Sequence, residues 1–152
     1  MQYLVDGHNL IPALGLSLRS AEDEMQLVAR LQVFCRVERS RAEVYFDGAP
    51  AGQAGPRRFG LVTAHFVRQT STADSAIRAR LASLGNAARN WTVVSADREV
   101  QAAARAVRAE VVSSQDFASR MQNAREISSP ATVDEILSEK EVGDWLKEFR
   151  EK

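Results

Sequence analysis

Short apolar runs alternate with amphipathic segments along most of this 152-residue chain, and this alternation limits its fold more than any other feature. A short continuous apolar run is typical of a buried strand, whereas apolar residues three or four positions apart are typical of a helix. Strands are predicted at residues 3–5, 44–46, 61–67, 91–94 and 110–112. Strands that alternate with helices predict an α/β fold, with helices on both sides of a mainly parallel central sheet in three layers.

The segments between these strands carry helix signals. An apolar stripe over residues 27–35 predicts the first long helix. Ser71 is expected to cap the next helix, and an alanine-rich helix is expected over residues 98–107. Ser113, with an aspartate three residues later, is expected to open another helix.

Composition indicates one domain followed by a charged tail. The chain has 152 residues, of which 45% are apolar, enough for one domain with its own core, and Cys35, the single cysteine, is expected to lie in that core. Residues 1–125 contain sixteen arginines and twelve acidic residues, whereas residues 126–152 contain four basic and eight acidic residues. A basic body is expected to attract a polyanion.

The tail is predicted to be a linker followed by an amphipathic helix. A capping box at Ser138 and Glu141 precedes an apolar stripe. The stripe consists of Val142, Trp145, Leu146 and Phe149. This stripe is expected to be buried, either against the body of the same domain or in a groove on a partner.

The sequence contains no membrane signal. No apolar run approaches the roughly 18 residues of a spanning helix, and the first residues lack a signal-peptide pattern. A cytoplasmic protein without a membrane partner is therefore expected. The oligomeric state is left open.

Four aspartates stand where predicted strands end or helices begin: Asp6, Asp47, Asp74 and Asp97. Because parallel strands end at the same edge of a sheet, the carboxylates of Asp6, Asp47 and Asp97 are expected to meet there. Carboxylates this close raise one another's pKa values unless a cation is present. Mg²⁺ accepts carboxylate, water and phosphate oxygens as ligands, so the pattern favours a Mg²⁺ site for phosphate chemistry.

Each aspartate also has a purely structural explanation. The Asp-Gly dipeptides at Asp6 and Asp47 are hairpin-turn signals, although no alternating strand follows either of them. Asp97 alone could be a helix N-cap. Asp74 satisfies a capping-box pattern with Ser71.

Five segments resemble, in order, the motifs of the YacP-like branch of the NYN family, within the PIN-like nuclease superfamily. The segments are YLVDGHNLI at residues 3–11, VYFDG at 44–48, TADSAI at 72–77, VVSADRE at 93–99 and SEKEVGDWL at 138–146. The resemblance spans nearly the whole chain. It implies a PIN-like domain and a metal-dependent nuclease that hydrolyses phosphodiester bonds, usually in RNA, with endonuclease or exonuclease action left open.

The resemblance assigns catalysis and the binding of Mg²⁺ or Mn²⁺ to Asp6, Asp47, Asp74 and Asp97. Asn9 would orient Asp6 or hold the turn, or it would cap the backbone that follows it. Ser95 would donate to a carboxylate or a metal-bound water, or would be an ordinary strand-end serine. His8 departs from the family, which usually has a tyrosine there, and a stacking or hydrogen-bonding role is expected for it rather than that of a general base.

Five arginines near predicted strand ends and helix starts are candidates for contacts with RNA phosphates. They are Arg57, Arg58, Arg68, Arg78 and Arg98. Each could equally be a solvated surface residue. The first two end a flexible loop predicted at residues 49–56, which are rich in Gly, Pro and Ala.

Other folds with aspartates at strand ends fit less well. A haloacid dehalogenase-type phosphatase has a second aspartate two residues after the first, where this chain has His8. A receiver domain needs an early acidic pair and a late lysine, and a dinucleotide-binding fold needs a glycine-rich turn after its first strand. The remaining alternative is a non-catalytic PIN-like module that binds RNA or protein within a larger RNA-processing complex.

Overall fold

The computed structural model describes residues 1–16 and 21–127 as a six-stranded sheet between two layers of helices. The strands are β1 (Gln2–Asp6), β2 (Arg41–Ala49), β3 (Gly55–Phe59), β4 (Val62–Arg68), β5 (Trp91–Val94) and β6 (Glu110–Val112). The helices are α1 (Gly7–Ala13), α2 (Ala21–Glu38), α3 (Ala73–Leu84), α4 (Arg98–Ala106) and α5 (Ser114–Ile127). The predicted α/β class is confirmed, while the predicted helix at residues 138–150 lies outside the described residues.

The sheet has the strand order β3-β4-β2-β1-β5-β6, and only β3 runs antiparallel to its neighbour. β1 lies at its centre, where Gln2 is in register with Arg41 of β2 and with Trp91 of β5. The three strands therefore end at one edge, which is called the C-terminal edge below. Every residue from Trp91 to Val94 is buried, as expected for a central parallel strand covered on both faces.

Two hydrophobic cores lie on opposite faces of the sheet. Tyr3 and Val5 pack on the side of α1, α2 and α5, whereas Leu4 packs on the side of α3 and α4. This division follows from the period-two alternation of side chains along β1. Cys35 is fully buried in the first core, as predicted, and burial raises the pKa of its thiol to about 11.

A polar cluster fastens α3 to the sheet. Arg80 of α3 forms an ion pair with Glu43 of β2 at 3.0 Å, and its guanidinium lies 5.3 Å from the centre of the Trp91 ring. Burial disfavours the Glu43 carboxylate, but its interactions with His65, Arg80 and Tyr45 outweigh burial and lower its pKa to about 2. The His65 ring stacks on Tyr45, with the ring centres 4.6 Å apart.

The segment after Asp47 differs from the prediction. β2 does not stop at Phe46 but continues through Asp47 to Ala49, with a shift of register and a positive φ of 80° at Gly48. The predicted flexible loop at 49–56 is wrong in its last residues, because β3 begins at Gly55 and pairs with β4. An antiparallel edge strand needs little apolar sequence of its own, so its polar residues did not signal a strand.

The helix starts also differ in detail. α1, which was not predicted, begins directly after Asp6 and contains Pro12. The N-cap of α3 is Thr72 rather than Ser71, and the Thr72 side chain accepts a hydrogen bond from the Ser75 backbone N–H at 3.0 Å. Ser113 accepts a hydrogen bond from the Asp116 backbone N–H at 3.1 Å, as predicted for a capping residue.

No helix within residues 1–16 and 21–127 has both the length and the apolar character needed to cross a membrane.

Gly7, which links β1 to α1, is expected to tolerate no side chain. A Cβ atom there would lie 2.5 Å from Cε1 of Phe46 and 2.8 Å from the carbonyl oxygen of Tyr45. We therefore expect Gly7→Ala to lower the free energy of unfolding by about 1–3 kcal/mol, the usual cost of overpacking. Gly52→Ala is the matched control, because a Cβ at Gly52 has no neighbour within 4 Å. Equal stabilities of the two variants in urea unfolding would contradict this prediction.

Candidate active site

The C-terminal edge brings together the three aspartates that follow strands. Asp6 is the last residue of β1 and precedes α1, and Asp47 lies two residues before the end of β2. Asp97 follows β5 by three residues and is the N-cap of α4. Because β1 pairs in parallel with both β2 and β5, this arrangement is a direct result of the sheet register.

The surroundings of Asp6 disfavour its ionised form. Its pKa is raised to about 6, first by burial and next by the Asp47 carboxylate, with a smaller contribution from Asp97. The Asn9 backbone and the His8 imidazole offset part of this rise. A cation beside Asp6 would relieve this cost of ionisation.

Asp47 binds the start of α3, and Asp74 lies in the first turn of that helix. Asp47 Oδ1 accepts a hydrogen bond from the Ala73 backbone N–H, which ties the end of β2 to this helix. Asp74 Oδ2 pairs with Arg78 one turn later at 2.8 Å. The other oxygen of Asp74, Oδ1, is buried and has no hydrogen-bond partner among the described residues. Asp74 therefore has a structural partner and also one oxygen without a hydrogen bond.

Ser95 links Asp6 to Asp97. Its buried Oγ accepts a hydrogen bond from the Asp97 backbone N–H at 3.0 Å and lies 3.5 Å from Asp6 Oδ2, to which it donates. Asp97 Oδ1 in turn accepts from the Glu99 and Val100 backbone N–H groups at 2.8 and 3.4 Å. These bonds agree with the N-cap explanation of Asp97 and orient its carboxylate at the same time.

Asn9 holds the loop that carries Asp97. Its side-chain oxygen accepts hydrogen bonds from the Ala96 backbone N–H at 2.6 Å and from the Ser114 hydroxyl at 2.5 Å. The side chain therefore joins α1, the β5–α4 loop and the start of α5. The Asn9 side chain therefore binds the backbone of a distant loop rather than the backbone that follows it, while the Asn9 backbone hydrogen-bonds Asp6.

His8 is held by Glu24, a residue that the sequence did not single out. His8 Nε2 lies 2.9 Å from Glu24 Oε2, and the imidazole packs 5.5 Å from the Phe46 ring. The Glu24 hydrogen bond is the main reason why the pKa of His8 is raised, with Asp47 and Asp6 adding to the effect. The expected stacking and hydrogen-bonding role agrees with these contacts. Glu24 resembled an ordinary acidic residue in a helix's first turn, so only the fold could identify it.

The five candidate arginines are divided between different parts of the surface. Arg68 ends β4 and Arg98 begins α4, and both are exposed near the C-terminal edge, as expected. Arg78 is paired with Asp74. Arg57 and Arg58 lie within β3, opposite Ala64 and Thr63 of β4, so their expected position beyond a strand end is wrong.

The aspartates do not form a closed metal cage. Among residues 1–16 and 21–127, no three His, Cys, Asp or Glu side chains are arranged to hold a single metal ion. Mg²⁺ usually takes only one or two protein carboxylates and completes its shell with water and phosphate oxygens. The donors at this edge, carboxylate oxygens around the strained Asp6, fit that mode of binding.

The sequence matches the family model of the YacP-like NYN domain over residues 3–150. The chain belongs to the YacP-like NYN family. This is a nuclease-family domain, so the resemblance of the five motifs is confirmed. A comparison with curated proteins found no match.

Two solved structures share the fold. The crystal structure of Rae1 (YacP) from Bacillus subtilis superposes with a TM-score of 0.68, covering 99% of this chain and 92% of that chain at 24% identity. A crystal structure of a mutant of the same protein gives a TM-score of 0.66, covering 88% of this chain and 87% of that chain at 22% identity. At these identities the likeness establishes the fold of the YacP-like domain.

Asp6→Asn is expected to stabilise the metal-free protein at neutral pH. Because the folded pKa is about 6 against an ordinary 3.8, ionisation of Asp6 costs stability as the pH rises from about 4 to 6. The cost is absent below pH 4 and complete above about pH 6. After allowance for partial exposure it amounts to about 1–2 kcal/mol, or a few degrees in Tm.

Thermal unfolding in EDTA at pH 7.5 and pH 4 measures this effect. We expect the variant to have the higher Tm at pH 7.5 and nearly the wild-type Tm at pH 4. A lower Tm for the variant at pH 7.5 would contradict this prediction, because it would show that other groups of the protein stabilise the ionised Asp6 carboxylate.

Proposed function

We propose that this protein is a ribonuclease that hydrolyses phosphodiester bonds in RNA with the help of Mg²⁺ or Mn²⁺. The observation that carries the proposal is the half-buried Asp6 carboxylate, which lies beside Asp47 and Asp97 in a member of a nuclease family. Such a carboxylate attracts a divalent cation, and a phosphate group can complete the coordination of that cation.

The hydrogen bonds of the aspartates leave oxygens for metal binding. Asp47 and Asp97 each use Oδ1 to accept backbone N–H groups, and Asp74 uses Oδ2 to bind Arg78. The second oxygens of these carboxylates support direct or water-mediated coordination of an ion next to Asp6. Asp6, Asp47 and Asp97 are the central ligands in this proposal, and Asp74 is an additional one.

A bound divalent ion would supply an activated water and would neutralise charge that develops on the phosphate oxygens. The chain's own residues hold the geometry in which this takes place. Ser95 orients Asp6 relative to Asp97, and Asn9 fixes the loop that presents Asp97. His8, anchored by Glu24, provides a polar side chain beside Asp6.

The open position of the site favours internal cleavage. Asp47 is exposed at the C-terminal edge, so an RNA strand can approach from the side without insertion of a free end. Exposed Arg68 and Arg98 near this edge are the best candidates for contacts with backbone phosphates. Such contacts carry no base preference, and recognition of a target could depend on a larger RNA-containing complex.

A second candidate function is binding of RNA without cleavage. The absence, among the described residues, of a three-ligand metal group favours this alternative. It predicts RNA binding that does not need a divalent ion and does not lead to hydrolysis. The same assay separates the two functions.

A nuclease assay with labelled single-stranded and structured RNA tests the proposal. We expect cleavage in Mg²⁺ or Mn²⁺ that disappears in EDTA and falls at least ~100-fold in Asp6→Asn and Asp97→Asn, because each substitution removes a charged ligand. Asparagine is a good N-cap, so Asp97→Asn is expected to stay folded. Asp116→Asn, at an exposed position on α5, is the control. Wild-type cleavage by either site variant would contradict the assigned site.

The two exposed arginines are expected to affect RNA binding independently of hydrolysis. Arg68→Ala and Arg98→Ala should each weaken binding in EDTA and reduce the slope of log K against log salt by about 0.7–0.9, the value for one lost phosphate contact. Arg105→Ala, at an exposed position later in α4, is the matched control. Filter binding at several salt concentrations gives the slopes, and an unchanged slope would exclude the tested arginine from the interface.

A further inference from the structure

A large cleft lies on the helical face that is formed by α1, α2 and α5. Its volume is about 1030 Å³, and its lining is part apolar, with Ala13 and Leu14 at the end of α1, Ala29 and Val33 on α2, and Ala118 and Met121 on α5. The aspartates of the candidate active site do not line it. This surface is therefore separate from the proposed chemistry.

The cleft has the features expected of a groove that binds a further helix between α2 and α5. The α2 residues that line it, numbers 26, 29, 30 and 33, recur at helical spacing along one face. The α5 residues 115, 118, 119, 122 and 126 do the same. Two such helix faces form a groove into which the side chains of another helix can pack.

The charged side chains that line the cleft are net positive, because there are two arginines and one glutamate, Glu126. Arg30 and Arg125 both line it, and burial together with the nearby Arg125 charge lowers the pKa of Arg30. Arg30 donates to the Leu14 carbonyl oxygen at 3.4 Å, and neither arginine forms an ion pair with an acidic side chain among the described residues. A matching surface would carry apolar residues bordered by carboxylates.

The tail of this chain has these properties. Its apolar stripe, Val142, Trp145, Leu146 and Phe149, is followed along one border by Glu141 and Glu148, which are seven residues apart. The tail begins where α5 ends, at Ile127, beside Arg125 and Glu126 of the cleft. The ten residues 128–137 can reach about 33 Å when extended, whereas α5 from residue 115 to 126 is only about 16 Å long.

We propose that residues 138–150 pack as an amphipathic helix in the cleft between α2 and α5 of the same molecule. The match to the family model extends to residue 150, which supports treating the tail as part of the domain. The proposal does not depend on the nuclease function. It assigns the apolar stripe to a cleft that begins close to the tail in sequence, is lined in part by apolar residues and contains two arginines that can face Glu141 and Glu148.

Tryptophan accessibility in the full-length protein tests the proposal. The chain has two tryptophans, Trp91 and Trp145, and Trp91 is only 5% exposed within the sheet. Labelling with 5-fluorotryptophan gives two ¹⁹F signals, which Trp145→Phe assigns. We expect a neutral gadolinium chelate to broaden neither signal, because both side chains are buried. Broadening of the Trp145 signal to the extent found in an isolated peptide of residues 136–152 would overturn the proposal.

Substitutions in the cleft locate the burial site. Gln122→Glu combined with Arg125→Glu changes two exposed α5 positions and is expected to make Trp145 accessible, since it places negative charge against an acidic tail. The Trp91 signal must stay protected, which shows that the domain remains folded. Arg105→Glu, on α4 at the other face of the sheet, is the control and should leave both signals protected.

Two outcomes would contradict docking in the cleft of the same molecule. If the Trp145 signal stays protected in the α5 double variant, the side chain is buried somewhere other than the cleft. If the Trp145 signal is protected only at concentrations where sedimentation detects a dimer, the tail is bound to a second copy of the chain.

Discussion

The parallel pairing of β1 with β2 on one side and β5 on the other is the constraint on which the rest of the structure depends. It places the ends of three strands side by side, so residues that are 41 and 50 positions apart in sequence, Asp6, Asp47 and Asp97, come to one edge. The interior of a doubly covered strand is mostly apolar, and a charged residue there needs a partner, as Glu43 of β2 has in Arg80. Carboxylates without such a partner are found where the strands leave the sheet. The position of the aspartates is thus a consequence of burial as much as of chemistry.

The hydrogen bonds at this edge leave Asp6 different from its neighbours. Backbone N–H groups at the starts of α3 and α4 satisfy Asp47 and Asp97, and the helix dipoles favour negative charge there. Asp6 has a long hydrogen bond from Ser95 and a hydrogen bond from the Asn9 backbone, but burial and the nearby carboxylates still raise its pKa. A cation that arrives with a phosphate substrate would relieve this unfavourable charge, because the carboxylates attract positive ions. This is the physical reason why Asp6 is central to the proposed activity.

The acidic side chains of the candidate active site and the arginines that could attract RNA lie at different positions on the surface. The aspartates make the C-terminal edge acidic, while exposed arginines such as Arg68 and Arg98 lie around it. Some of the other arginines have structural partners, as Arg80 has in Glu43 and Arg78 has in Asp74. The net charge of the body therefore overstates the number of arginines that can meet a polyanion. An interface with RNA would have to combine a few arginines with a metal ion rather than depend on a broad basic surface.

Much of this protein could be predicted from local sequence. The apolar runs indicated β1, β5 and β6, and the order of five motifs indicated the family, because buried strands and their terminal residues have a restricted composition. The edge strand β3 was missed, since it obtains its hydrogen bonds from β4 and buries little of its own surface. The extension of β2 beyond Asp47 was missed for a similar reason, as its continuation depends on pairing with β4 and on the backbone of Gly48.

The sequence by itself determined which residue types end each strand, and so it determined the chemical character of the candidate site. Tertiary structure alone decided how those residues are linked. It joined Asn9 to Ala96 and Ser114, His8 to Glu24, and Asp47 to the start of α3. These contacts join residues from 16 to 105 positions apart, and such distances are bridged only when the helices pack on the sheet. Local patterns record burial and capping, whereas hydrogen bonds between distant elements arise only from the packing of the complete fold.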